Sequence, residues 1–542
     1  MNNYMKSLIR ILAISLIMMV NACLFVNLYG QDTYKLLRST PENEGVSSSQ
    51  ITDFLNAVDT GRVEFHSFMF IRHGKVIAEG WWDPYGSDKK HIMFSASKTF
   101  TATAIGLAVS ENRLKITDKV SSFFPYSQPD SVSDDMKALT VQNLLTMSVG
   151  QDPEPRAMGT GGDWITVFLN SVPVHKPGTI FKYNNMATFM LSAIVQQVTG
   201  LTVFDYLQTR IFRPLAIRGI DWDLNPQGIN LGMIGLRLKT EDMAKFGQLL
   251  LQNGVWNGKQ LIPKEWVKEA TSFKIPTSLS ANKDSLKQSD WGQGYCYQMW
   301  RGRNNTVRLD GLGGQFVVLI PDKDAIVVLT ANAKNTQDEL NLVHNYLIPA
   351  IKSEKPLPEN SELLSTLQKK EAMLYLKPFV AVASKSELES KISEKELILE
   401  KNIYNIQSVY FTFNKGECSF AIKRDDNISI VKCAAEGWKF SNTASSALLA
   451  SPHPVSKSID ANYKLTQPVI RVAASYSWTN KNTIELTARF VEESLGSETI
   501  VCKFSEFNGT VNVSIEQKPG GLMMGMPAPP AAPLRGALIK IK

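Results

Sequence analysis

The chain has 542 residues, 44% of them hydrophobic and 20% charged, with 34 Gly and 25 Pro. That is about three to four times the length that closes a single core, so it implies more than one packed domain and excludes a mini-protein, a collagen-like repeat, a largely disordered chain or a coiled coil. The formal charge of +7 comes from 58 basic and 51 acidic residues spread without a long Lys/Arg run, so it gives no support to nucleic-acid binding.

Residues 1–30 read as a secretory signal peptide. Lys6 and Arg10 precede an apolar run from Ile11 to Val20, and small or turn-forming residues lead to a cut after Gly30. The alternative is lipid attachment at Cys23, as in bacterial lipoproteins. Either route makes the protein exported, to a periplasm or beyond. No later apolar run approaches the roughly 18 residues of a membrane span, so no span is expected in the mature chain.

Residues 31–351 alternate between helical and strand periods. Ser67 to Ile71 and Val76 to Trp82 predict a hairpin, and Ser97 to about Asn112 predicts a helix with apolar residues at helical spacing. Ser95 and Lys98, in MFSASKTFTATAIGLAV, stand at its start. The i, i+3 spacing brings the Lys98 amine beside the Ser95 hydroxyl, and a neutral amine there could take the hydroxyl proton. S-x-x-K alone is a weak signal, with about two expected by chance; a second one, Ser280 to Lys283, lies in a polar stretch with no helix behind it. Tyr183-Asn184-Asn185 is the only Y-x-N among fifteen tyrosines. A Tyr hydroxyl near a lysine can pass a proton to a leaving group, and an Asn amide can orient a substrate carbonyl.

Thr240 reads as the N-cap of a helix that stops before Asn253-Gly254. Asp310-Gly311-Leu312-Gly313-Gly314-Gln315 then leads into a strand, where glycines allow close backbone approach and can present an N–H to an oxyanion. Phe316 to Ile320 and Ala325 to Ala331 predict a second hairpin. The six histidines, His66, His73, His91, His175, His344 and His453, show no metal-binding spacing, so neither a metal nor another cofactor is expected. His91, four residues before Ser95, is expected at the surface.

Residues 352–375 form a polar, proline-bearing linker with a short helical piece. Residues 376–542 are strand-rich, which predicts a β-sandwich or barrel-like accessory domain with a mobile Gly/Met/Pro tail. Cys418 and Cys433 flank Asp425-Asp426 symmetrically in a predicted hairpin, either as a cross-strand disulfide or as two buried thiols.

The set FSASKTFTATAIGLA, LTVQNLLTMSVG, PGTIFKYNN, LKTEDMAKFGQLLLQNGVWNGKQLIPKEWV and GLGGQFVVLIPDKDAIVVLTAN resembles the serine β-lactamases of class C and the penicillin-binding-protein-like hydrolases. These include related esterases and 6-aminohexanoate-dimer-hydrolase-like amide hydrolases. The resemblance implies an α+β fold, an antiparallel sheet flanked by helices with a helical subdomain, ahead of the all-β module. It implies Ser95 as acylated nucleophile, Lys98 as base, Tyr183 as proton relay and Asn185 as substrate contact, with an oxyanion hole from the N–H groups of Ser95 and the Gly311-Leu312 region. The third motif departs from the family: Leu309-Asp310-Gly311 stands where Lys-Thr-Gly or His-x-Gly is usual. The missing basic residue weakens a penicillin or D-alanyl-peptide assignment, and Asp310, facing the cleft, would favour neutral or cationic substrates. The expected function is hydrolysis of an ester or amide in a small molecule or peptide. A β-lactamase or D-Ala-D-Ala carboxypeptidase is the alternative, and a non-catalytic envelope binding protein the second alternative.

Overall fold

The computed structural model describes residues 35–127, 132–158, 162–278, 283–378, 386–425, 427–443, 449, 456–460, 462, 464–466, 469–493, 495–520 and 533–538. The signal-peptide region, Cys23, Ser280 and most of the Gly/Met/Pro tail lie outside the described residues. In chain order the first part forms β1 (Leu37–Arg38), β2 (Glu64–Arg72), β3 (Lys75–Trp81), β4 (His91–Ile92), β5 (Asp221–Asp223), β6 (Leu236–Leu238), β7 (Val255–Trp256), β8 (Lys259–Gln260), β9 (Trp300–Arg301), β10 (Val307–Gly311), β11 (Gln315–Ile320) and β12 (Ala325–Asn332). Seven of these make the main sheet in the order β1-β3-β2-β12-β11-β10-β9, while β7 and β8 form a small hairpin of their own.

The two apolar hairpins meet at β2 and β12, which pair antiparallel with Phe70 opposite Val327 and Met69 opposite Val328. Both strands are buried almost throughout, as near-continuous apolar runs require. Period-two alternation divides their side chains between two layers. Phe68, Phe70, Val327 and Leu329 face a core shared with the helices Ser48–Thr60 and Thr336–Leu342. Met69, Ile71, Ile326 and Val328 face the larger core, which holds the helices Ser97–Ser110, Asn185–Thr199 and Thr240–Leu251. The Ser97–Ser110 helix is buried from Ser97 to Ala108 and lacks a polar stripe, as befits a central helix. Thr240 is the first helical residue, with Lys239 at the N-cap position. Its hydroxyl instead meets Ser67 Oγ at 2.8 Å and accepts from the Trp81 indole N–H at 3.2 Å. The helical piece of the linker, Ser361–Ala372, buries Leu367 in the core beneath β2.

The second part forms β13 (Glu396–Leu399), β14 (Ser408–Asn414), β15 (Glu417–Arg424), β16 (Asn427–Ala434), β17 (Lys439–Thr443), β18 (Ser456–Ile459), β19 (Leu465–Thr466), β20 (Ile470–Asn480), β21 (Thr483–Phe490), β22 (Ser497–Phe507), β23 (Thr510–Gly520) and β24 (Leu534–Leu538). The order β16-β15-β14-β13-β24-β23-β22-β21-β20 closes on itself through a parallel contact of β16 with β20 at Cys433 and Ala474, and β17 pairs with the rest of β20. The accessory domain is therefore a closed barrel rather than a sandwich, and closure removes the sheet edges. Its interior is filled by Phe411, Phe420, Tyr476, Trp478 and Phe504. Cys418 and Cys433 stand directly opposite each other as expected, as free buried thiols, and burial pushes the Cys433 thiol up to about 12.

Strands β18 and β19 leave the barrel and join β5, β6 and β4 in a five-stranded sheet, so the two parts share backbone pairing. Ion pairs reinforce the junction. Arg489 on β21 contacts both oxygens of Glu64 at 2.9 Å, and Arg237 on β6 reaches Asp223 at 2.8 Å and Glu493 at 2.6 Å. His91, contrary to expectation, is buried here: its Nε2 meets His66 Nδ1 at 2.8 Å, and Tyr85 stacks on His66. Burial lowers His66 to about 4 and His91 to about 3, so both rings are neutral near pH 7. Among the described residues no single helix is long and apolar enough to cross a membrane; the bent pair Asn185–Thr199 and Val203–Phe212 meets the length and composition, and lies largely in the main core.

The Asp223 and Glu493 carboxylates, 8% and 9% exposed, have Arg237 as their common cation. Arg237→Met is expected to lower the stability to denaturant by about 3–5 kcal/mol, because two buried carboxylates lose the cation they share. Equilibrium unfolding of the full chain checks this; an unchanged midpoint would show that the triad contributes nothing to holding the two parts together.

Candidate active site

The short segment between β4 and the central helix decides where Ser95 sits. The Met93 N–H donates to the Leu236 carbonyl at 2.9 Å, tying the segment to β6. Phe94 then takes a φ of +43°, a conformation that costs a bulky residue about 1–3 kcal/mol and that the surroundings must hold in place. Phe94–Ala96 makes one 3₁₀ turn, which the Ser97 hydroxyl closes by donating to the Phe94 carbonyl at 2.7 Å. Ser95 is left half-buried on the turn.

Lys98, one turn on, is 1% exposed. Its Nζ donates to Ser95 Oγ at 2.9 Å, to Asn185 Oδ1 at 2.9 Å and to the Met233 carbonyl at 3.1 Å, which uses all three ammonium hydrogens. Burial lowers its pKa to about 7 against the opposing pull of Glu154 and Asp310. The amine is thus substantially neutral near pH 7 and, once neutral, can accept the Ser95 hydroxyl proton.

Tyr183 and Asn185 arrive from the start of the Asn185–Thr199 helix. Asn184 caps that helix by accepting from the Ala187 N–H at 2.8 Å, and its amide donates to Gln151 Oε1 at 2.9 Å. With Asn184 so occupied, its two neighbours turn toward Lys98. The Tyr183 side chain lies close enough to Ser95 and Lys98 to interact with both, and loss of solvent around the hydroxyl raises its pKa, so it is protonated at neutral pH. Its ring stacks on Trp300 with centroids 6.0 Å apart, and Lys98 Nζ lies 4.9 Å from the ring centre. Asn185 donates through Nδ2 to Glu154 Oε1 at 2.9 Å, while its backbone N–H donates to Glu154 Oε2. Both ends of its amide are therefore engaged, which makes it a brace between Lys98 and Glu154 before any substrate binds.

Sequence reasoning did not single out Glu154. It comes from the loop after Gly150, 31 residues from Asn185. The available signal was generic: a carboxylate is favoured at a helix N-terminus.

Strand β10 forms the far side of the site. Asp310 faces it closely enough to act on Lys98 and Tyr183, but its carboxylate accepts from Arg308 Nε at 2.9 Å and lies 2.9 Å from Arg308 Nη2. Arg308 is itself buried beneath the Trp291 ring, 4.5 Å from its centroid. Asp310 thus faces the cleft, with the arginine two residues before it on the same strand face balancing its charge. Gly311 touches the Ser95 segment, because a Cβ there would lie 2.3 Å from the Met93 carbonyl oxygen. Gly313 and Gly314 follow at φ +74° and +97°, with Leu312 on the rim, 38% exposed. Ser95, Lys98, Tyr183 and Asn185 are therefore one cluster, and Gly311 and Leu312 border it. Among the described residues no group of three His, Cys, Asp or Glu could hold a metal ion.

A family model described as Beta-lactamase matches residues 56–347, more than half the chain and the whole of this site. The chain belongs to the β-lactamase family. Among curated relatives, this β-lactamase-family protein is 25% identical over 282 residues to the 6-aminohexanoate-dimer hydrolase of Paenarthrobacter ureafaciens, covering 48% of this chain and 71% of that one. It is 24% identical over 176 residues to the Beta-lactamase of Escherichia coli strain K12, covering 28% of this chain and 46% of the relative. Similar solved structures include a putative 6-aminohexanoate-dimer hydrolase from Bacillus anthracis, with a TM-score of 0.47, 18% identity and coverage of 61% of this chain and 94% of that one. The octameric penicillin-binding protein homologue from Pyrococcus abyssi has a TM-score of 0.43 and 15% identity, and covers 90% of this chain and 99% of that one.

The Lys98 environment sets a pH dependence. Because the folded amine loses its proton near pH 7, the rate of Ser95 labelling by a fluorophosphonate should rise with pH through an inflection near that value. Glu154→Gln removes an anion that favours the ammonium and should move the inflection to lower pH. Labelling rates between about pH 5.5 and 8.5 read both effects, and a flat wild-type profile would remove Lys98 as the group that titrates.

Proposed function

We propose that this protein is a serine hydrolase that cleaves an ester or amide bond through an acyl-enzyme on Ser95. The observation that carries the reading is the buried Lys98 amine 2.9 Å from Ser95 Oγ, with a pKa lowered to about 7. Serine is a weak nucleophile at its free pKa and needs a base held at this distance. In the reaction, neutral Lys98 takes the hydroxyl proton as Ser95 Oγ bonds to the substrate carbonyl carbon. The oxyanion is met by the N–H groups of Ser95 and of the Gly311-Leu312 region. As the tetrahedral intermediate collapses, the bond to the leaving alcohol or amine breaks and Tyr183 passes it the proton, with Lys98 resupplying Tyr183. Water then attacks the ester carbonyl, Ser95 Oγ leaves with a proton returned along the same path, and the acid departs. Asn185 holds Lys98 and offers its remaining amide hydrogen to the substrate.

The substrate preference follows from charge. No basic side chain is offered at Leu309-Asp310-Gly311, and the nearby guanidinium of Arg308 is buried and paired with Asp310. An incoming carboxylate would meet Glu154 and Asp310 and find no basic side chain at the third motif, which disfavours penicillin-like and D-alanyl substrates relative to neutral esters and amides. The name of the Paenarthrobacter relative, a hydrolase of 6-aminohexanoate dimer, agrees with this class. The assembled Ser95, Lys98 and Tyr183 cluster speaks against a binding protein that merely retains the fold. The basic and then apolar start, Lys6 to Val20, supports export.

Purified full-length protein and Ser95→Ala should be assayed with p-nitrophenyl esters, a chromogenic cephalosporin and a D-Ala-D-Ala peptide. Neutral esters are expected to give the highest kcat/KM, and Ser95→Ala to lose about 10⁴-fold or more. Turnover that survives in Ser95→Ala would overturn the acyl-enzyme, and a cephalosporin preferred over every ester would overturn the substrate class.

A further inference from the structure

We propose that Leu495, on the turn between barrel strands β21 and β22, is a positioning residue for the reaction at Ser95, so that the barrel belongs to the hydrolytic apparatus. This rests on the reading of Ser95 as the acylated residue. Leu495 is 2% exposed, and it is buried not in the barrel but against Ile92 and Phe94, the latter adjacent to Ser95. Its Cδ1 also lies against the Gly313 backbone, 2.2 Å from where a Cβ would stand. One barrel side chain therefore touches both segments whose N–H groups would receive the oxyanion, the Phe94-Ser95 turn and the glycine turn after β10.

The Phe94 conformation needs external support, and the glycine turn, unstrained but conformationally free, gains definition from a packed neighbour. Phe94 holds a φ of +43°, and Gly313 and Gly314 hold +74° and +97°. Just before the contact, the barrel turn is anchored to the segment that leads into Ser95. Glu493 reaches Arg237, which pairs with Ile92 across β4 and β6, and Glu492 accepts from the Lys90 N–H at 3.2 Å. Val491 packs with Tyr85. Leu495 touches no reacting atom; it acts by fixing the distance between two backbone segments, and an oxyanion hole tolerates little error in that distance.

The test uses the full chain with Leu495→Ala, Leu495→Val, Leu495→Met and Leu486→Ala, a control that removes the same atoms from the barrel core. Turnover of a neutral p-nitrophenyl ester and the thermal midpoint are measured for each. Leu495→Ala is expected to lower kcat roughly 10- to 100-fold with KM changed less than about threefold, Leu495→Val to fall between, and Leu495→Met to recover most of the rate. Leu486→Ala should lower the midpoint at least as much and keep kcat. If Leu495→Ala does not fold, Leu495→Val against Leu495→Met carries the comparison. A wild-type kcat in the folded Leu495 variants, or an equal loss in Leu486→Ala, would overturn the positioning role while leaving the hydrolase reading intact. A wild-type protein without Ser95-dependent turnover would overturn both.

Discussion

An ammonium group loses its hydration when it is buried, and Lys98 is 1% exposed. The protein meets that cost with three acceptors from three separate places: the Ser95 turn, the start of the Asn185–Thr199 helix and the Met233 carbonyl before β6. Two carboxylates nearby, Glu154 and Asp310, pull the pKa upward, and burial still wins, leaving it near 7. That balance is what makes the amine useful. Fully solvated, it would be protonated and could not act as a base at neutral pH; buried without acceptors, it could not hold the proton once taken. The central helix, the Asn184 cap and the Glu154 loop are arranged so that one nitrogen sits between these extremes.

The barrel adds to this arrangement from outside the family domain. Its interior is packed with aromatic side chains and buried thiols, so its core is structural rather than a carrier cavity. Its contacts with the first part are polar where Arg489 meets Glu64 and Arg237 meets Glu493, and apolar where Leu495 meets Phe94. The buried His66, His91 and Tyr85 stack lies in the same junction, close to the Arg489–Glu64 pair. The position of the Ser95 turn is thus coupled to the docking of a second domain, because β18 pairs with β5 and the β21–β22 turn tracks the residues just before Ser95.

Much of the site was legible because it is local or repeated. Ser95 and Lys98 meet by helical spacing, Tyr183 stands in the only Y-x-N, and the two apolar hairpins appear as β2–β3 and β11–β12. What was missed is carried by contacts between distant segments. Glu154 reaches Asn185 across a loop, His91 is buried because His66 and Tyr85 surround it, and β18 pairs with β5, more than 200 residues earlier. The Arg308–Asp310 pair is different, since residues two apart on a strand share a face. The alternation is present in VRLDG, where Arg308 and Asp310 flank the leucine that stands in place of the usual basic residue.

That pair also bears on how charge moves in the site. Asp310 is held by Arg308, while Glu154 binds the amide that holds the Lys98 amine. On the proposed mechanism, the proton that leaves Ser95 turns Lys98 into a cation just as the oxyanion forms. Glu154 and Asp310 then favour the new ammonium, while the backbone N–H groups and the cation itself favour the oxyanion. Both stabilising interactions grow as the transition state develops and are weak before it, which is the property a catalytic site needs. A substrate that arrived with its own carboxylate would compete for the same cation and meet the same two acids. On the proposed reading, the departure at the third motif and the neutral amine act together in favour of a substrate that brings no charge of its own.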